Sequence, residues 1–279
     1  MLGIPIGDPY SPFPSQTDIE RQEKALESPP RSLPGISLND AEQLALLEAL
    51  RGLPPDFPEQ STADWRFTYD NQFFSMGDAD CLQAMIRHVR PARIVEVGSG
   101  YSSAAILDTN DRYFEGAVEC ILIDPDSARV RSLLRPGDFQ RIRLIEAMVQ
   151  DVELSVFEAL QPNDILFIDS SHVTKAGSDV NHEIFEILPR LHAGTYIHFH
   201  DVFYPFGYPP NWITRGWAWS EAYLLRAFLQ YNTAFGIVLF LSYLCRFHRD
   251  SVERAFPNAL RCAPGSLWLR RVANSRSER

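Results

Sequence analysis

The chain has 279 residues, 45% of them hydrophobic and 22% charged, enough for one large domain or one domain with an appended segment. Lys and Arg number 26 against 36 Asp and Glu, a formal charge of −10 that argues against nucleic acid and against an anionic membrane surface as partners. The most apolar run, 234–245, is far short of the roughly 20 residues a bilayer span needs.

Half of the twenty prolines fall within the first 60 residues, so the chain is expected to be extended or irregular to about Pro34. The first residues carry neither a basic nor an apolar signal-peptide region. The four cysteines (Cys81, Cys120, Cys245, Cys262) form no C-x-x-C pair. Both features fit a reducing cytoplasm rather than a disulfide or zinc framework. A helix is expected from about Asp40 to Arg51, capped by Asn39, with Leu44, Leu47 and Leu50 on one face. Residues 1–68 read as an N-terminal arm or cover; the alternative is a partly disordered tail. Residues 69–279 read as the main domain.

From Asp78 the pattern is regular. A helix over Ala79–Val89 stops before Pro91. Strands are expected at Arg93–Val97, Cys120–Asp124, Arg143–Glu146, Asp164–Asp169 and Thr195–His200, with helices near 102–109, 126–134, 152–160 and 179–191 between them. A helix over Ser220–Tyr231 then precedes two runs, Phe235–Leu241 and Ser266–Val272, that can pair antiparallel at one edge. The expected fold is α/β: a doubly wound, Rossmann-like seven-stranded sheet with an antiparallel last strand and an N-terminal helical or irregular extension.

The segment RIVEVGSGYSS (93–103) is strand, glycine turn and helix start. Gly98 and Gly100 permit a tight turn and a close ligand approach, at the strand ends where an open α/β sheet binds ligands. A dinucleotide fingerprint wants a third glycine where Ser103 stands, and a P-loop wants a lysine that is absent. Glu96, Asp124 and Asp151 would repel a pyrophosphate. They suit a ligand with a cationic amine and sulfonium, ribose hydroxyls and an adenine amine, which describes S-adenosylmethionine. Asp124 follows Gly100 at about the spacing at which an acidic residue reaches a ribose. The bland alternative for Glu96 and Asp151 is solvated strand-end charge.

With these pieces in order (VEVGSG, ILIDPD, AMVQD, DILFIDSSH and GTYIHFHD), the chain from about Tyr69 to Arg271 resembles the class I S-adenosylmethionine-dependent methyltransferases. Within the class it looks most like a bacterial small-molecule subfamily related to the cephalosporin-hydroxylase-like and small O-methyltransferase groups. The stretches IDSSHVTKAGSDVNHEIFEILPRL, HFHDVFYPFGYP and WSEAYLLRAFLQYN carry this. The resemblance implies Glu96, Gly98 and Gly100 near the methionine end of the cofactor, Asp124 on the ribose and Asp151 near the adenine. Ser99 and Ser103 stand where many relatives have glycine. Tyr69–Phe74 (YDNQFF) precede the first helix of the domain, and relatives often close such a segment over the methionine end. Tyr69, Ser99, Ser103 and Asp169 complete the candidate cofactor contacts.

Asp169, His172, His198, His200 and Asp201 fall at the ends of the fourth and fifth strands, and His198 and His200 share one face. Catechol-type and caffeoyl-CoA-type O-methyltransferases hold a divalent metal at these strand ends. By position Asp169 matches their first ligand, and His200 with Asp201 matches the pair after the fifth strand. His172 takes the place of the catechol-type lysine base. Histidine as ligand shifts preference from Mg²⁺ toward Mn²⁺, Fe²⁺ or Zn²⁺. His172 is the candidate base, oriented by Asp169, and His200 is counted with them; the alternative for His198 is a core histidine. The segment 203–219 would roof an aromatic acceptor pocket with Tyr204, Phe206, Tyr208, Trp212, Trp217 and Trp219, or serve packing or a homo-oligomer contact. The expectation is methyl transfer to an oxygen of a small-molecule acceptor. A degenerate, non-catalytic binding fold and a NAD-dependent oxidoreductase are the competing readings.

Overall fold

The computed structural model describes residues 5–8 and 10–272. Seven strands form one sheet: β1 Arg93–Val97, β2 Glu119–Ile123, β3 Ile142–Ile145, β4 Ile165–Ile168, β5 Tyr196–Phe199, β6 Phe235–Phe240 and β7 Leu267–Arg271. Their order is β3-β2-β1-β4-β5-β7-β6. β1 to β5 pair in parallel, and β7 is antiparallel to both β5 and β6. The expected seven-stranded sheet is therefore present, with each expected strand found within a residue or two. β4, Ile-Leu-Phe-Ile, is buried throughout, as a central parallel strand covered on both faces must be.

The helices are α1 Gln16–Glu27, α2 Asp40–Arg51, α3 Met76–Val89, α4 Tyr101–Phe114, α5 Ala128–Leu133, α6 Ser155–Glu158, α7 Asp179–His182, α8 Pro210–Thr214, α9 Glu221–Leu229, α10 Leu241–Phe247 and α11 Arg249–Ala255. α7 runs on as a π turn, Glu183–Ile187, and a 3₁₀ turn, Leu188–Arg190. Among the described residues no helix is long and apolar enough to cross a membrane.

Two expectations about the N-terminal region are corrected. The proline-rich start is not irregular to Pro34, because α1 forms within it. The Ser15 side chain accepts from the Asp18 amide at 3.2 Å, and Asp18 accepts from the Ser15 amide at 3.1 Å, a reciprocal cap that outweighs the surrounding prolines. Nor does Asn39 cap α2. It adopts a left-handed backbone, φ 55°, and its side chain donates instead to the Ile237 carbonyl of β6 at 3.0 Å. Gln43 extends this tie, accepting from the Phe240 amide at 2.7 Å. With Leu47 and Leu50 fully buried, α2 covers the β6 edge and joins the same core as the sheet.

One buried ion network fastens the segment before α3. The Arg66 guanidinium donates to Asp138 at 2.5 and 2.8 Å and to Asp108 of α4 at 2.8 Å, with Asp111 also at 2.8 Å. Asp108 also accepts from the amides of Arg66 and Phe67. Burial opposes ionisation of Asp138, but Arg66, the Arg135 amide and Arg141 together hold its carboxyl at about 2. Removing one partner of such a network leaves uncompensated buried charge. Arg66→Met is expected to cost about 3–5 kcal/mol in urea unfolding followed by tryptophan fluorescence. Because the folded carboxyl is held low, its stabilisation is present above about pH 4 and is lost as pH falls toward 2. The variant should lose less stability than the parent across that window; an unchanged acid slope would remove the network from this role.

Candidate functional site

β1 and β4 diverge in their connections, one leading toward β2 and β3, the other toward β5, so their carboxyl ends open a crevice between them. Gly98 stands at its floor with φ +80°, and an added Cβ would lie 1.8 Å from the Asp169 carbonyl oxygen. Only glycine fits there. Gly100 is extended, and a Cβ on it would meet only the flexible Arg129 side chain, at 3.1 Å. Gly98→Ala should therefore depress folding yield and melting temperature severely while Gly100→Ala is nearly neutral; equal melting temperatures in thermal unfolding would contradict this geometry.

The loop fixes the second strand's acid. Asp124 accepts from the Ser99 amide at 2.7 Å and from the Asp126 amide at 2.8 Å. Beneath the loop Ser103 accepts from the Gly100 amide at 3.0 Å and donates to Glu96. Glu96 is completely buried, and burial pushes its carboxyl up to about 8 against the opposing serine hydrogen bonds. Glu96 and Ser103 thus support the loop from below, whereas Gly98, Ser99, Gly100, Asp124 and Asp169 face open space.

That space has two adjoining compartments. One, of about 300 Å³, lies between Ile123, Pro125, Met148, Val149 and Gln150. The other, of about 510 Å³, extends past Asp169 to His172, His200, Asp201 and the tryptophans. Gly98, Asp124, Asp169, Ser170 and Ser171 border both. Besides Glu96 and Ser103, two further expected cofactor contacts line neither compartment. Asp151 is the exposed end of a 3₁₀ turn and borders a separate surface hollow, while its neighbours Met148 to Gln150 line the compartment. Tyr69 donates to Asp80 of α3, which also accepts from Asn258 at 3.0 Å, and packs edge-on against Phe57 and Phe67. From the same segment Gln72, Phe73 and Phe74 reach the cleft instead. Phe73 stacks on Tyr101 at 5.7 Å and lies under the Arg129 guanidinium at 4.0 Å, forming part of the cleft rim.

At the far end Asp169, His172 and Asp201 bring one ligand atom each within 4.8 Å of one another. The expected set had His200 in the place of His172. His200 remains at the cleft, its Nε2 3.7 Å from Asp201, with its ring 4.9 Å from that of Phe74. His172 has a left-handed backbone, φ 60°, and Asp201 likewise, φ 55°, which turns both side chains at the strand ends. His172 Nε2 lies 3.3 Å from Asp169 and 3.9 Å from Asp201, and Nδ1 lies 2.8 Å from Glu221. Burial works against a charge on this ring, but Asp169 and Glu221 raise its pKa well above the ordinary histidine value. His198 is different: it is fully buried, stacked 4.2 Å from Phe167, and burial keeps it neutral. It is a core histidine.

The roof segment divides. Trp212, Trp217 and Trp219 line the larger compartment, Trp217 and Trp219 stacked at 4.9 Å. Tyr204, Phe206 and Tyr208 are buried in packing, with Tyr204 donating to the Pro30 carbonyl and Tyr208 accepting from the Ala222 amide. Glu221 was not singled out from sequence. A Ser-Glu pair before an apolar helix signals a helix start, and nothing local distinguishes a buried glutamate from a solvated one.

A family model described as a methyltransferase domain matches residues 95–202, a span that holds the glycine loop, Asp124, Asp169, His172, His200 and Asp201. An uncharacterized protein of Archaeoglobus fulgidus is 36% identical over 170 residues, 58% of this chain and 76% of that protein. Residues 95–202 thus carry the match to a methyltransferase domain, on the seven-stranded sheet that the sequence resemblance implied. Among solved structures, the O-methyltransferase TomG of Streptomyces achromogenes in complex with S-adenosylmethionine is 12% identical, covering 85% of this chain and 92% of its own at a TM-score of 0.46. The methyltransferase PaMTH1 of Podospora anserina, bound to S-adenosylhomocysteine, is 16% identical, covering 93% and 97% at a TM-score of 0.45.

Proposed function

We propose that the chain transfers the methyl group of S-adenosylmethionine to a hydroxyl oxygen of a small-molecule acceptor, and that Asp169, His172 and Asp201 hold a divalent cation beside the transferred group. The observation that carries this reading is the position of that triad, in the same cleft as the glycine loop and Asp124.

In this reading Asp124, already aligned by two backbone amides, accepts the ribose hydroxyls. The apolar compartment between Ile123, Pro125, Met148 and Val149 takes the adenine. The methionine end lies along Gly98 to Gly100 and points toward Asp169. Tryptophans 212, 217 and 219 exclude water and hold the acceptor against the cofactor, so most of the barrier reduction comes from positioning.

The donor set fits a cation. Two carboxylates and an imidazole converge, and the far nitrogen of the imidazole is tied to a buried carboxylate, as is usual for a ligating histidine. Nitrogen among the ligands favours Mn²⁺, Fe²⁺ or Zn²⁺ over Mg²⁺. When bound, such a cation would lower the pKa of an acceptor hydroxyl. His172 serves here as ligand rather than base, because its Nε2 faces Asp169 and Asp201 at the point where the carboxylates converge. Candidate acceptors are sugars, phenols and polyketide-type metabolites.

Calorimetric titration tests the reading, using S-adenosylmethionine, S-adenosylhomocysteine and NAD⁺, each with Mg²⁺, Mn²⁺ or EDTA. The sulfonium cofactor and its product should bind and NAD⁺ should not. Asp124→Ala should weaken S-adenosylhomocysteine by about 10-fold to 100-fold, the worth of charge-assisted hydrogen bonds. Asp169→Ala should abolish Mn²⁺ binding. Cofactor affinity unchanged in Asp124→Ala would contradict the ribose assignment, and Mn²⁺ binding retained in Asp169→Ala would dismiss the cation site. Failure of every cofactor to bind would favour a degenerate binding fold.

A further inference from the structure

The N-terminus of α9 meets His172 at its backbone and at its ring. The amides of Ser220 and Glu221 both donate to the His172 carbonyl, at 2.8 and 3.1 Å. The Ser220 hydroxyl meets Thr174 through its amide at 2.9 Å and its hydroxyl at 2.6 Å. The Trp219 ring lies 4.3 Å from the imidazole, and the Glu221 carboxylate takes Nδ1 at 2.8 Å. These backbone bonds hold His172 in a left-handed conformation that a non-glycine residue rarely adopts without such support.

Glu221 is 1% exposed. A carboxylate is a costly occupant of such a position unless it has work that an apolar residue could not do. One oxygen contacts His172; Oε1 has no hydrogen-bond partner among the described residues. A second buried acid lies close by. Glu183 opens the π turn that continues α7, a distortion that recurs at functional sites, and its Oε2 accepts from Ser170 at 3.1 Å. Burial and the neighbouring Glu221 carboxylate push Glu183 well above the ordinary glutamate range.

We propose that Glu221 is the positioning residue of this centre. By accepting a hydrogen bond from Nδ1–H, it fixes the tilt of His172, so that Nε2 faces Asp169 and Asp201 across the cleft.

The test uses the full chain and two readouts. The first is the ring ¹H–¹⁵N spectrum of His172, assigned by its loss in His172→Asn. The parent should show a downfield, slowly exchanging Nδ1 proton. Glu221→Gln should lose or markedly shift it, and Glu221→Asp, with the charge kept on a stem one methylene shorter, should restore part of it. An identical signal in the parent and Glu221→Gln would overturn the proposal, as would a parent ring with no Nδ1 proton. The second readout is Mn²⁺ affinity, which rests on the proposed cation site. Glu221→Gln should weaken it about 10-fold to 100-fold, with S-adenosylhomocysteine affinity preserved as evidence of an intact fold. If the parent binds no Mn²⁺, the cation reading fails and the ring spectrum alone decides the role of Glu221. Should Glu221→Gln not fold, Glu221→Asp decides by the same spectrum, an unshifted Nδ1 signal again counting against the proposal.

Discussion

The carbonyl of Asp169 and the α-carbon of Gly98 pass so closely that no side chain can stand between them. This contact is where β1 and β4, the strands from which the chain departs in opposite directions, leave the sheet side by side. It lets the glycine loop lie flat against the end of β4, which brings the Ser99 amide onto Asp124 and sets Asp169 on the border of both compartments. Had the strand ends been farther apart, the cofactor compartment and the acid-histidine cluster would be separate hollows. With a Cβ in the way, neither would keep its shape.

Charge in this protein is handled in three ways according to its surroundings. Arg66 is buried with its guanidinium shared among Asp108, Asp111 and Asp138, and Asp108 and Asp138 also accept backbone amides. Glu96 and Glu183 are buried without a cation and are pushed toward the neutral form by desolvation. His172 lies between acids that favour its charge. The first arrangement fastens the N-terminal segment, the second supports the backbone around the cleft, and the third faces the open space. A stability role and a chemical role are thus told apart by what surrounds each group, since the residue types overlap.

The chain's apolar runs located all seven strands, most clearly the central parallel ones, which are buried on both faces and leave near-continuous Val, Ile, Leu and Phe runs. They missed α1, whose Ser15–Asp18 cap was legible but lay among prolines, and the short helices α8, α10 and α11, which are too brief to show a period. Tyr69 and Asp151 were drawn toward the cleft by their neighbours in sequence, yet the backbone turns them away while Phe73 and Gln150, one to four residues off, point in. Such one-residue differences reverse a side chain's direction without changing any sequence pattern.

Local sequence determined the glycine turn, the acid at the end of β2 and the clustering of acids and histidines after β4 and β5, because each depends on residues adjacent in the chain or fixed by strand alternation. Only the tertiary structure decided that His172 rather than His200 completes the triad, that His198 belongs to the core, and that Glu221, 49 positions beyond His172, stands behind its ring. The reason is physical. A ligand set and its supporting hydrogen bonds are distances between segments far apart in sequence, set by how α9 packs across the strand ends, and no local periodicity records that packing.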